Sequence, residues 1–298
     1  MQKKFMSVKI RKFPEYNYLA VFDEATGFTY RFGKPGKPNL ELPEDESEFY
    51  DIAITSRCHG GCSWCYAKAT AKGENYQDIC ETWKDWIKTK KTLPFSVAIG
   101  SIGEPTEHPD FPEFLKTVYE SGVSPSYTTN GVILGSPGDP RVPEILEATK
   151  AYCKGVALSL GNKELSRYQI RALKVLEETG VKISLHHIIS DQDSIREFVR
   201  TWRTDVDHKY THVLLPMVDI NHKSQVTRSD WETLKSEILK YEMKNIAFGA
   251  KFIEYLKNES WVSVYPESLY SKNMILKPGR VIITKSSFDL RPLKIIKL

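Results

Sequence analysis

Six short strand-like runs, all but the third followed by helical spacing, constrain the fold of this chain more than any other feature. They are residues 50–55, 95–99, 124–129, 155–160, 181–190 and 212–217. Strands that alternate with helices pair in parallel and stack their helices outside the sheet, which defines an α/β class. With 298 residues the chain has room for one α/β barrel of about 200 to 250 residues with additions, or for two small domains. One core is the simpler reading. Hydrophobic residues make up 41% of the chain and charged residues 27%, as in ordinary globular proteins. No run approaches the roughly 18 apolar residues that span a bilayer. A net charge of +4 permits an anionic partner but falls short of the footprint of a dedicated nucleic-acid binder.

Three of the five cysteines lie within eight residues, just after the first run, in Arg57-Cys58-His59-Gly60-Gly61-Cys62-Ser63-Trp64-Cys65-Tyr66. The C-x3-C-x2-C spacing lets three thiolates from one loop converge on one small object. Structural zinc wants four protein ligands, whereas an iron–sulfur cubane held by three keeps one iron open to a small molecule. A zinc site would need Cys80 or His59 as its fourth ligand, and Cys80 has no paired-ligand motif of its own. A non-catalytic zinc-binding module is thus the competing reading from another class. The chain opens Met1-Gln2-Lys3-Lys4-Phe5, without an apolar signal segment, so the expected compartment is the reducing cytoplasm.

The cysteine motif, with aromatic Trp64 ahead of the last cysteine, resembles the C-x3-C-Φ-C signature of the radical S-adenosylmethionine (SAM) superfamily. The resemblance implies a [4Fe–4S] cluster on Cys58, Cys62 and Cys65, with SAM chelating the fourth iron. A one-electron reductant such as flavodoxin or ferredoxin would drive cleavage of SAM to methionine and a 5′-deoxyadenosyl radical, which abstracts a substrate hydrogen. The implied fold is an incomplete (βα)6 TIM-like barrel. Here an N-terminal β-ribbon would occupy 1–48, the barrel 49–220 and C-terminal α/β additions 221–298.

Further strand ends carry the same resemblance. Gly100-Ser101-Ile102-Gly103-Glu104-Pro105 stands where the superfamily commonly has Gly-Gly-Glu-Pro, with Ile102 in place of a second glycine. By that match Gly103 lets the backbone approach the methionyl group and Glu104 accepts a bond from its ammonium. Thr129-Asn130-Gly131 resembles the superfamily's strand-end Thr-Asn-Gly, and by that match Thr128 and Asn130 would bond SAM or substrate, although Asn130-Gly131 equally suits a turn. Ser159 is matched to the ribose, Arg171 in preference to Arg167 to the SAM carboxylate, and Leu215 or Met217 to the adenine. Trp64 completes the expected cofactor set. In the fifth run the alternation places His186 on the more polar, luminal face as a substrate contact and His187 against the outer helices.

Elsewhere, residues 18–22 and 28–32 flank a turn signal and read as the ribbon, and 33–48 reads as a linker. Helices are expected over 76–92, 111–121 (with Asp110 as N-cap), 194–206 and 231–243, and strands at 246–248, 261–265 and 280–284. His108 reads as structural, and Cys80 and Cys153 as buried. No cysteine follows Cys153, which leaves no ligands for an auxiliary cluster. A peptide is the expected substrate, with a nucleotide or nucleic acid as the alternative.

Overall fold

The parallel pairing expected of strand–helix alternation is what the chain adopts. The computed structural model describes all residues except 1–7, 25–28, 35, 37–41, 44–45, 162–164, 219–222, 258, 262–270 and 287–288. Three strands come first: β1 (Val8–Phe13), β2 (Tyr18–Asp23) and β3 (Thr29–Phe32). Then strands and helices alternate: β4 (Phe49–Ala53), α1 (Ile79–Lys88), β5 (Ser96–Ile99), α2 (Phe111–Glu120), β6 (Ser124–Thr129), α3 (Val142–Tyr152), β7 (Gly155–Gly161) and α4 (Arg167–Thr179). They continue through β8 (Lys182–Ile189), α5 (Gln192–Thr204), β9 (Thr211–Pro216), α6 (Arg228–Lys240), β10 (Ile246–Phe248) and α7 (Ile253–Leu256). Strands β11 (Ser271–Lys277), β12 (Arg280–Ser286) and β13 (Asp289–Lys297) end the chain.

Among the described residues the strands form two sheets, one of β1–β3 and one in the order β10-β9-β8-β7-β6-β5-β4-β11-β12-β13. The large sheet contains the six expected strands as β4 to β9, all parallel. It runs on past them, with β10 parallel to β9 on one side and β11 parallel to β4 on the other. Antiparallel β12 and β13 complete the second edge.

Alternation along the strands separates two faces. Ile52, Val97, Ile99, Tyr127, Leu158 and Leu185 are buried in one cluster with Trp83 and Trp86 of α1, Phe114 and Leu115 of α2, Ile145 of α3 and Leu176 of α4. A second cluster joins Ile189 and Leu214 to Phe198 and Trp202 of α5 and Trp231 and Leu234 of α6. The opposite face carries short side chains in register, Asp51-Ala98-Ser126 and Thr128-Ala157-Ser184, all half-buried. Large side chains fill the helical face, and across β4 to β7 short ones leave the other face clear.

Several local expectations change. The N-terminal ribbon is a three-stranded sheet, because β1 pairs with β2 and places buried Arg11 where an apolar residue would have marked a strand. Residues 46–48 are not a free linker. Glu48 is wholly buried, accepting from Tyr18 Oη and twice from Arg31, at 3.0 Å from Nε and 2.6 Å from Nη2. Arg11 Nη1 donates to Ser47 O at 2.6 Å. Phe22 stacks on Phe95 at 5.2 Å, with Phe49 alongside, so the small sheet covers the N-terminal ends of β4 and β5. Asp110 precedes α2 but its side chain caps nothing. Its N–H donates instead to His108 Nδ1, while His108 Nε2 donates to Tyr76 O at 2.8 Å, so His108 is structural as expected. Helix α3 escapes sequence reading because it buries only Ile145, Ala148 and Thr149. The turn of the ribbon and most of the strand expected at 261–265 lie outside the described residues. Among the described residues no helix is long and apolar enough to cross a membrane.

Candidate active site

The loop after β4 is folded back on itself. Cys58 N–H donates to Thr70 O at 3.0 Å and Ser56 N–H to Glu74 O at 2.9 Å, and Gly73 lies so close to Ser56 O that a Cβ would stand 2.2 Å from it. Cys65 N–H closes a turn on Cys62 O at 3.1 Å, and Tyr66 Oη donates to Ser101 O at 2.7 Å. The three cysteines therefore sit on a loop anchored at both ends, with Cys62 exposed and Cys58 and Cys65 half-buried.

Gly60 lies between two of these thiols. A Cβ on Gly60 would stand 3.3 Å from Cys58 Sγ, 3.7 Å from Cys62 Sγ and 3.1 Å from Asn130 Nδ2, so two thiols and an amide surround a cradle that any side chain would fill. Gly60 N–H donates to Cys58 Sγ at 3.3 Å, and Asn130 Nδ2 does so at 3.6 Å. Burial pushes the Cys58 thiol up to about 11, and nearby Glu104, Glu107 and Cys62 add to the effect while Gly60 N–H opposes it. Such a thiol is a poor nucleophile and becomes a thiolate against a metal cation. Among the described residues no three His, Cys, Asp or Glu side chains close around a single-ion position. Cys80 packs against the helical core and so does not complete a zinc tetrahedron, and His59 Nδ1 is engaged by Glu107. The donor set and its cradle fit a three-thiolate cluster.

The loop after β5 is stitched beneath this one. Glu104 N–H donates to Arg57 O at 2.8 Å. Gly103 has φ +70°, and a Cβ there would meet Thr55 O at 2.6 Å and Arg57 O at 2.8 Å. Glycine is thus required for contact with the cysteine loop's own backbone, a demand the motif alone does not reveal. Ile102, the departure from the usual motif, is buried in the helical core.

Glu104 is only 3% exposed. Its Oε1 accepts from Thr106 Oγ1 at 2.7 Å, Thr106 N–H at 3.3 Å and Thr129 Oγ1 at 2.8 Å, and its Oε2 accepts from Asn130 N–H at 2.7 Å. Burial pushes the carboxyl up while these four bonds pull it down. Oε2 keeps lone-pair capacity beyond Asn130, and Oε1 is filled. Asn130 serves two ends at once, because its Oδ1 closes a turn on Val132 N–H at 2.8 Å while its Nδ2 reaches Cys58 Sγ.

The remaining residues lie along neighbouring strand ends. Thr128 is half-buried on the cleared face of β6. Ser159, His186 and Val213 stand side by side in register, followed by Ile188 beside Leu215. Burial pushes the His186 imidazole down to about 4. His187 faces the other way, in edge-on contact with Phe198 of α5 as expected. Trp64 lies over Gly161 at the end of β7, where a Cβ would come within 2.6 Å of its ring and which has φ +75°. Gly249 packs directly on Leu215, whose Cδ2 would stand 2.7 Å from a Cβ there. Arg171 is exposed on α4; the residue of that helix that reaches back to β7 is Gln169, whose Nε2 donates to Ser159 O at 2.6 Å. Sequence alone does not single out Thr106, Thr129 and Gln169. Each is an ordinary polar residue near a motif, and only its partner shows its part.

Three thiols on one strand-end loop, at the C-terminal rim of a parallel sheet, are the layout that an iron–sulfur α/β enzyme would need. Residues 52–206 of the 298 match the family model described as the Radical SAM superfamily, and the chain belongs to that family. Its members are enzymes that use a [4Fe–4S] cluster and SAM. Over 129 residues it is 30% identical to the 7,8-dihydro-6-hydroxymethylpterin dimethyltransferase of Methanocaldococcus jannaschii, covering 42% of this chain and 25% of that one. Over 176 residues it is 26% identical to the Fe-coproporphyrin III synthase of Methanosarcina barkeri, covering 55% and 43%. The chain thus spans less than half the length of these relatives. The crystal structure of Streptococcus suis SuiB bound to precursor peptide SuiA is similar in fold, with a TM-score of 0.65, 12% identity, and coverage of 93% of this chain and 82% of that one.

Proposed function

We propose that this chain modifies a peptide by radical SAM chemistry, with Cys58, Cys62 and Cys65 as its cluster ligands. The observation that carries the reading is the inner face, where Asp51-Ala98-Ser126 and Thr128-Ala157-Ser184 set short, half-buried side chains in register beside the cysteine loop and offer a substrate a floor. The likeness over nearly the whole chain to a SuiB structure holding a precursor peptide supports it. When bound, cluster and SAM together supply the one-electron cleavage that yields a hydrogen-abstracting radical. The protein's part is to place the target C–H and to exclude water.

In this reading Gly103, Glu104 and Asn130 shape the methionyl end of the pocket. Thr128, Ser159 and His186 offer polar contacts along the floor, Leu215 an apolar one, and Trp64 closes the gap between the cysteine loop and β7. Arg171 would have to swing in from the exposed face of α4 to meet a carboxylate. Exposed Arg57, His59, Lys68, Lys72 and Arg141 near the cysteine loop suit an acidic one-electron carrier such as flavodoxin or ferredoxin. Dependence on reduced thiols suits the cytoplasm. The names of the two sequence relatives favour a second reading, a small cyclic substrate of the pterin or porphyrin kind.

The test is anaerobic reconstitution with iron and sulfide, followed by turnover with SAM, dithionite and, in turn, peptides encoded beside the gene, a pterin, coproporphyrin and mononucleotides. The expected result is 5′-deoxyadenosine formation stimulated by a peptide, with a mass change on that peptide. Stimulation by a ring compound alone would replace the peptide reading with the second. Each of Cys58→Ala, Cys62→Ala and Cys65→Ala is expected to lose its iron, whereas Cys80→Ala and Cys153→Ala keep it. Iron loss in Cys80→Ala would sink the three-ligand assignment.

A further inference from the structure

The turn that carries Glu104 carries a second buried carboxylate. Glu107 ends the 3-10 turn Pro105–Glu107, its N–H donating to Glu104 O at 3.0 Å, and its side chain is only 7% exposed. Where Glu104 turns toward β6, Glu107 turns toward the cysteine loop. Its Oε1 accepts the His59 backbone N–H at 2.8 Å, its Oε2 lies 2.7 Å from His59 Nδ1, and Arg57 Nε stands 3.7 Å from the same oxygen. One carboxylate thus grips both the backbone and the ring of a single residue, and charge-assisted bonds of this kind are the stronger ones.

His59 directly follows Cys58. On the other side of Cys58, Arg57 O is held by Glu104 N–H, and Cys58 N–H itself is held by Thr70 O. The peptide units flanking Cys58 are therefore fixed by protein groups alone. Cys62 comes after Gly60 and Gly61, the latter at φ +59°, and is exposed. The three thiols differ in how far the chain positions them in advance.

We propose that Glu107 is a positioning residue that holds Cys58 in place through His59, so that the glycine-hinged part of the loop closes onto a first ligand already set. This rests on the reading of the three cysteines as cluster ligands. Ordering a loop during folding leaves less ordering to be done on metal binding, and it slows the loss of a ligand once bound.

The experiment follows hydrogen exchange of the His59 amide in the full chain before reconstitution, and iron loss to a chelator after it. Glu107→Leu removes both acceptors. Its His59 amide is expected to exchange at least about tenfold faster, the lower bound for a bond to a charged group, with iron loss faster in step and the Tyr127 amide of β6 unchanged. Glu107→Gln keeps an oxygen for the amide and offers an N–H to the other imidazole tautomer, so it should restore both rates to within threefold of wild type. His59→Ala alters a half-exposed side chain, keeps the fold should the leucine variant not be recovered, and should lose iron faster than wild type. Glu107→Leu exchange within twofold of wild type overturns the proposal, as does unchanged iron loss in His59→Ala. A wild-type chain that takes up no iron overturns the underlying ligand reading instead, whatever the exchange rates.

Discussion

Glu104 Oε1 accepts three hydrogen bonds and Oε2 one, so this carboxylate ties the loop after β5 to the end of β6 before any ligand is considered. Thr106 N–H and Asn130 N–H can only donate, and both need an accepting oxygen. Glu104→Gln supplies one oxygen instead of two. Whichever way the amide turns, its NH2 faces either the donors at Oε1 or the Asn130 N–H, and a buried donor is left unsatisfied. The expected cost is about 1–3 kcal/mol of stability, read as a lowered denaturant midpoint, together with weaker SAM binding by titration. A variant as stable as wild type would show that the rim is held by other contacts. Removing the charge also weakens the hold of residue 104 on the backbone N–H of Asn130, whose side-chain amide reaches Cys58 Sγ.

At the level of strands and helices, β8 and β9 bury a chain of polar groups beneath α5. His187 Nε2 and His212 Nδ1 are 3.0 Å apart with stacked rings, and His212 Nε2 lies 3.4 Å from Asp205 Oδ2. Burial, with His212 and His186 nearby, pushes His187 down to about 3, and burial likewise lowers His212 against the pull of Asp205. Below pH 6.5 the unfolded chain binds a proton that folded His187 refuses until about pH 3. Stability therefore falls as pH drops through that window, by up to about 1.4 kcal/mol per pH unit from this residue. His187→Phe, next to Phe198, should flatten urea-derived stability between pH 6 and pH 4 relative to wild type, and an unchanged slope would exclude His187 as a source of it. The strand itself is legible in the sequence, since period-two alternation at 181–190 separates His186 from His187. The same holds for β4, β5, β7 and β9, whose runs are mostly apolar. What alternation does not reveal is pairing: β1 hides a buried arginine, and β11 lies more than 200 residues from its partner β4. The cysteine loop is legible from spacing. Its clamps, Glu107 on His59 and Thr129 on Glu104, are not, because a lone polar residue near a motif has no period.

In the whole molecule, strands β4 to β9 share their core with the C-terminal strands. β11 lies against β4, the strand that leads into the cysteine loop, and β11–β12 bury Met274, Leu276, Val281 and Ile283 in the same cluster as Trp83 and Trp86 of α1. At about 1.5–3 kcal/mol for each fully buried apolar side chain, these four account for roughly 6–12 kcal/mol before the lost strand pairing is considered. Total stabilities of about 5–15 kcal/mol are typical of folded domains. The segment is therefore on the scale of the entire margin. A chain cut after residue 270 should leave β4 as a sheet edge beside the cysteine loop, unfold at markedly lower urea, and expose the helix α1 tryptophans to solvent, seen as a red-shifted emission. It should also lose the slow-exchanging amides of β4 and β5, although all three cysteines of the loop and every strand-end motif would still be present. If instead the shortened chain unfolds cooperatively within about 2 kcal/mol of the full one, the core extends only across β4 to β9, and the C-terminal strands are an attachment to it.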